Sequence, residues 1–171
     1  MEHFQIASTC GASMPSYERS QPIPVKQTLA DSCWAAVLQS WSYADIRIHD
    51  ENGYLHEMDL VKLYGVGKTG GMPPATQWPT VCQRFGLSYT PVRAEDIWDY
   101  LREKLPGGYV FCALRRPPGS HAVLIYKFNE ETATVSFMDP DGGRIREEAG
   151  PFFDARGPLL LSSYGIGYRG P

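Results

Sequence analysis

Cys33 stands inside "KQTLADSCWAAVLQSW", with Gln27 just upstream of it. A thiol attacks only as thiolate, and the field at a helix N-terminus favours the anion. Such a nucleophile needs a base, normally histidine, and the base needs a group that orients it. The chain has 4 histidines. His3 lies in a polar N-terminal stretch, and His49 and His56 flank the polar loop "DENGY", where solvated side chains are the ordinary outcome. His121 instead opens the apolar run "HAVLIYKF", directly after "RRPPGS". That places an imidazole at a strand end, a position that also suits a histidine with a purely structural partner. Asp139 closes the next strand-like run, and antiparallel pairing can return it to the start of the His121 strand. Asp141, further into "DPDGG", is the second choice, and either aspartate can be simply a turn residue. The Gln27 amide, together with the Cys33 N–H, can donate to a developing oxyanion.

Each of these residues has a plainer reading, and Cys33 can be a core cysteine at the start of a buried helix. The other cysteines carry less. Cys82 in "WPTVCQRF" and Cys112 in "YVFCALRR" sit in apolar settings where inert buried thiols are common, and Cys10 lies in a polar stretch. The 4 cysteines form no CxxC pair and no dense framework, which argues against a disulfide-stapled fold and against a zinc site. No metal or other cofactor is expected.

The elements that must position these groups follow from periodicity. Trp34, Val37, Leu38 and Trp41 recur with helical spacing, which predicts a helix from Cys33 to about Ile46, with Asp31 and Ser32 as N-cap residues. Further helices are expected at Asp59 to Tyr64, at Pro74 to Phe85 closed by Gly86, and at Ala94 to Leu105. "KTGGMPPATQ" reads as a loop. The period then changes. "YVFCAL", "HAVLIYKF" and "TATVSF" have strand length, with "NEE" as a hairpin loop, Ala133, Val135 and Phe137 on one side, and "PLLLSS" as a later strand. Helices first and antiparallel strands second give an α+β fold.

A length of 171 residues with 43% apolar content suits one globular domain with a real core. The net charge of -3 shows no block of like sign, so neither nucleic acid nor an anionic membrane is an expected partner. No apolar run reaches the ~20 residues of a membrane span. The N-terminus has neither the basic start nor the apolar core of a secretory signal.

"QTLADSCWAA", "SHAVLIY" and "FMDPDGG" together resemble the papain-like cysteine proteases. Ser32, Cys33 and Trp34 match that signature, while Ala30 and Asp31 depart from it. The resemblance implies a helical half facing a sheet half with the active site in the cleft between. It implies Cys33 as nucleophile, His121 as base, Asp139 as orienting acid where the family often has Asn, and Gln27 as oxyanion donor. The compact spacing is similar to that of injected bacterial effector proteases and of the peptidase domains of bacteriocin exporters. The latter usually carry a small residue after the cysteine, where this chain has Trp34.

Residues 1–21 are then a flexible arm or linker and residues 22–171 the peptidase domain. The expected function is cysteine endopeptidase, a bacterial effector or toxin domain. It is expected to leave its maker by a specialised secretion system, act in the target-cell cytoplasm, otherwise remain cytoplasmic, and cut a cytosolic protein at glycine-containing sites such as Gly-Gly. Expected partners are a protein or peptide substrate and a cognate immunity or inhibitor protein. Trp78, Tyr89 and Trp98 are available to wall a cleft. The same triad also serves transglutaminases, deamidases and acyltransferases, which share the thioester intermediate, and a silent papain-like binding module is a further alternative.

Overall fold

In the computed structural model, residues 16–49, 51, 53–74, 76–87, 89–92, 96–116, 119–149 and 161–163 are described. Among the described residues, four helices precede most of the sheet: α1 (Cys33–Ala44), α2 (Glu57–Tyr64), α3 (Trp78–Arg84) and α4 (Ile97–Lys104). The strands are β1 (Ser16–Glu18), β2 (Thr90–Val92), β3 (Val110–Arg116), β4 (Gly119–Asn129), β5 (Thr134–Asp139), β6 (Arg144–Ala149) and β7 (Leu161–Ser163). The α+β arrangement is the papain-like one that the sequence predicts.

The strand β4 organises the main antiparallel sheet. One of its edges carries β3, from Arg116 opposite Gly119 to Val110 opposite Ile125, and then β1, with Glu18 opposite Lys127. The other edge carries β5, from Leu124 opposite Met138 to Asn129 opposite Thr134, with a bulge between Ile125 and Lys127. On β5 pairs β6, and β2 pairs with β7 in a separate ribbon.

Alternation along the strands gives the sheet two apolar faces. Phe111, Ala113, Ala122, Leu124 and Met138 pack with α1, while Cys112, Leu114, Val123, Ile125 and Phe137 pack with Leu101 and Leu105 of the α4 region. The helix α1 is buried nearly all round, with Trp34, Ala35, Ala36, Val37, Leu38 and Trp41 fully covered. Its buried hydroxyls are satisfied: Ser40 donates to the Ile23 carbonyl at 2.7 Å and Ser42 to the Gln39 carbonyl at 2.8 Å.

Several boundaries differ from expectation. The helix α1 stops at Ala44 because Asp45 turns extended and its carboxylate receives the Arg47 guanidinium at 2.8 Å. Ala133 is not a strand residue: it sits at φ 49 in the turn before β5. Ser16–Glu18, inside the stretch read as an arm, is hydrogen-bonded to the far end of β4. Residues 1–15, with His3 and Cys10, lie outside the described residues. Among the described residues no helix is long and apolar enough to cross a membrane.

Candidate active site

The pairing of β4 with β5 begins at Leu124 opposite Met138. Continued by one residue, this register sets Val123 opposite Asp139, so His121 lies one pleat further along, diagonal to Asp139 on the same face. The side chains meet there: His121 Nε2 is 2.7 Å from Asp139 Oδ1. With Nε2 so engaged, the ring has Nδ1 left for Cys33, which is among the groups that raise the imidazole. Cys33 reaches the place from the other layer, as the first residue of α1. Its Sγ accepts the Ala122 N–H at 3.4 Å, so the thiol sulfur lies against the backbone next to His121. Cys33 is 4% exposed. Three residues picked out in the sequence, Cys33, His121 and Asp139, are thus brought together.

Asp139 is held on both oxygens. Oδ1 also accepts the Asp141 N–H at 2.9 Å, and Oδ2 accepts Arg146 Nη1 at 3.1 Å. Asp141 therefore serves the site through its backbone, while its own side chain is exposed. Burial by itself would raise the Asp139 carboxyl. The hydrogen bonds from His121, Asp141 and Arg146 outweigh it and hold the group at about 2. Burial likewise works against a charged His121, yet its bonds to Asp139 and Cys33 raise it to about 9. The imidazole is thereby kept as imidazolium at neutral pH.

Gln27 lies beside this group, on the segment leading into α1. Its N–H bonds the Pro140 carbonyl at 3.0 Å, which ties it to the turn after Asp139. The approach is close because Gly143, at φ 62, carries no side chain: a Cβ there would stand 2.8 Å from the Lys26 backbone nitrogen. The Gln27 amide, however, does not present a spare donor. Nε2 donates to the carbonyls of Leu29 at 2.9 Å and Ala30 at 2.7 Å, and Oε1 is buried with no hydrogen-bond partner among the described residues.

Ser32 occupies the N-cap position, as expected, but its hydroxyl makes no cap bond. It faces Leu29, accepting the N–H and lying 3.0 Å from the carbonyl, and it donates to Glu57. The Ser32 carbonyl takes the N–H groups of Ala35 and Ala36. The first N–H groups of a helix, here those of Cys33 and Trp34, have no acceptor inside it.

The remaining histidines and cysteines are elsewhere. His49 is exposed, with Nδ1 2.8 Å from the Ile46 carbonyl, and His56 is the exposed residue before α2. Cys82 and Cys112 are core, and burial pushes the Cys112 thiol up, which makes it inert. Among the described residues no three His, Cys, Asp or Glu side chains group as a metal site.

Of the aromatic residues considered as cleft walls, Trp78 and Trp98 lie elsewhere. Trp78 is core, edge-on to Trp34 at 5.9 Å and tilted on Phe111 at 5.5 Å. Trp98 stacks on Phe128 at 5.3 Å, in the apolar cluster on the sheet face away from α1. Tyr89 packs half-buried against the main core.

Sequence reading missed Arg146 and Glu57. Arg146 sits in "RIREEA", whose charge hides an edge strand. Glu57 lies just before the helix expected at Asp59 to Tyr64, and nothing in its sequence setting marks it. The only usable signal for Arg146 is its place on a hairpin partner of the Asp139 strand.

A cysteine at the start of a central helix, facing an antiparallel sheet, is the arrangement of a papain-like cysteine peptidase, an enzyme that hydrolyses peptide bonds. The family model of the papain-like cysteine protease AvrRpt2 matches residues 16–162, and the chain belongs to that family. No curated protein matches it significantly.

Proposed function

We propose that the chain is an effector endopeptidase that works through Cys33, His121 and Asp139. The supporting observation is the juxtaposition of the three: Cys33 Sγ rests on the N–H of Ala122, the residue after His121, and His121 Nε2 is on Asp139. The Cys33 sulfur attacks the scissile carbonyl carbon, and the C=O electron pair moves to oxygen. The oxyanion accepts the Cys33 N–H and, once substrate displaces one of its loop contacts, the Gln27 amide. His121 gives its proton to the departing amine as the C–N bond breaks, leaving a thioester. It then takes a proton from water, whose oxygen attacks the thioester carbonyl; the C–S bond breaks, releasing the carboxylic acid and the Cys33 thiolate beside the imidazolium.

The substrate is a protein of the target-cell cytosol, cut in a flexible segment with glycine at P1. Glycine is favoured because the thiol is nearly buried, and the residue offering its carbonyl must approach closely. Delivery by a specialised secretion system and restraint by a cognate inhibitor follow from the same reading, since a free cytosolic protease would damage its producer.

The test is a peptide library digested with the purified protein, with new termini read by mass spectrometry. Cleavage enriched for glycine at P1, absent with Cys33→Ala, is expected. Cutting after bulky or basic residues without glycine enrichment would overturn the specificity, and cutting by the Cys33→Ala protein would overturn the mechanism.

A further inference from the structure

Glu57 is a carboxylate with 4% exposure that the reaction scheme does not use. Its two oxygens reach back into the segment before α1. Oε1 accepts the Thr28 N–H at 2.7 Å and the Ser32 hydroxyl, and Oε2 accepts the Thr28 hydroxyl at 2.8 Å. Thr28 follows Gln27 and Ser32 precedes Cys33, so one side chain grips both ends of the loop that joins the oxyanion candidate to the nucleophile. Glu57 is itself anchored. Its N–H bonds Gln39 Oε1 of α1 at 2.7 Å, and its charge sits in the first turn of α2, where the helix field favours an anion.

The grip has a second effect. A serine at an N-cap ordinarily turns its oxygen onto the N–H groups of the first turn. Here the Ser32 hydroxyl is drawn to Glu57 and Leu29 and makes no cap bond. The N–H groups at the head of α1 are therefore left without a cap from Ser32. A buried carboxylate with three donors is expensive to place unless its bonds are all made, as they are here.

We infer that Glu57 is a positioning residue for the oxyanion site, fixing the Gln27–Ser32 loop and the direction of the Cys33 N–H. This rests on the peptidase reading above. It separates two properties of the site. Alkylation of the thiolate needs the Cys33–His121 pair but no oxyanion donor, whereas peptide hydrolysis needs both.

The experiment measures both rates on one preparation, with iodoacetamide as the alkylating probe and a quenched fluorescent peptide built on the best-cut library sequence. Glu57→Ala is expected to lower kcat per alkylatable Cys33 by ~10²-fold, the scale of a misplacement of about an ångström, with KM and the alkylation rate little changed. Glu57→Gln should recover most of kcat, because its carbonyl can keep the Thr28 N–H and Ser32 bonds and the Thr28 hydroxyl can accept from its amide. Thr28→Val, an exposed and mild change, should lower kcat alone by a smaller factor. If Glu57→Ala does not fold, Thr28→Val decides, and an unchanged kcat there overturns the inference. Wild-type kcat in Glu57→Ala, or hydrolysis and alkylation falling in equal proportion, also overturns it. A wild-type protein that is alkylated at Cys33 but cuts no peptide removes the peptidase reading itself, and the control shows this before any variant is compared.

Discussion

The two sides of the site are held by different physics. On the sheet side, His121 and Asp139 are diagonal neighbours whose meeting is set by the register of β4 and β5, and ionic contacts then fix their charge state. On the helix side there is no ladder. The segment that carries Gln27 into Cys33 is placed by single hydrogen bonds, from Gln27 to Pro140, Leu29 and Ala30 and from Thr28 and Ser32 to Glu57, and by one tight backbone passage at Gly143. Damage to the sheet side should therefore appear as a displaced pH profile. Damage to the helix side should appear as a lost rate with the profile in place.

The largest effect tests whether the sides work as one unit. Cys33→Ala and His121→Ala should each bring peptide hydrolysis to background while circular dichroism stays that of the wild type, because nucleophile and base fail together. A partly active His121→Ala protein would mean that the thiol works without this imidazole.

Next come the separate sides. Gln27→Ala should cost roughly 10²–10³ in kcat, the usual loss of one oxyanion donor, with the pH profile unmoved. Asp139→Asn should cost roughly 10–100-fold, the scale on which a carboxylate orients a histidine. It should also move the profile. The alkaline limb reports loss of the His121 proton near 9, and removal of the Asp139 charge must bring that limb down. An unmoved limb in Asp139→Asn would show that the acid only holds the ring. The same shift predicts stability. A folded-state value raised from 6.5 to about 9 stabilises the protein fully below pH 6.5, and that contribution fades as pH rises through 9.

Gly143→Ala should harm the helix side through the backbone. The new Cβ meets Lys26 at 2.8 Å, and the residue is forced to keep φ 62, together a loss of about 1–3 kcal/mol. A lower melting temperature and a lower kcat are expected, with the alkaline limb again in place.

This division also explains what the sequence discloses. The apolar periodicity of α1 and of β3, β4 and β5 is legible because each buries a full face, and the residues at their ends, Cys33, His121 and Asp139, are legible with them. Short or charged elements are not. Three-residue β1 and β2 carry no period, and β6, "RIREEA", is an edge strand whose polar side chains look like a loop. The state of a side chain is also hidden. Nothing in "QTLADS" says that the Gln27 amide is spent on two carbonyls, or that the Ser32 hydroxyl turns from its helix to a carboxylate many residues downstream. Trp78 and Trp98 show the same limit: an aromatic residue is easily found, but core and cleft differ only in three dimensions.

The smallest effect is expected from Arg146, and its sign makes it informative. Arg146 is half-exposed and divides its guanidinium between Asp139 and Glu148, so solvent screens much of its charge. Arg146→Gln should change kcat by about fivefold or less, in line with the ~1 kcal/mol ceiling of a screened pair. Its pH effects should oppose those of Asp139→Asn. Loss of a cation beside the acid leaves more negative charge facing His121, so the alkaline limb moves up from about 9 instead of down. Asp139 loses one of the bonds that hold it at about 2 and rises toward 3.8. A carboxyl depressed in the folded state gives stability that is present above pH 3.8 and is lost as pH falls through its folded value. With that value raised, acid unfolding should begin at a higher pH in Arg146→Gln than in the wild type. Acid titration followed by circular dichroism measures the onset, and peptide hydrolysis between pH 7 and about 10 measures the limb. A limb that moves down would mean that Arg146 serves mainly to aim the Asp139 carboxylate, so that its loss breaks the bond to His121.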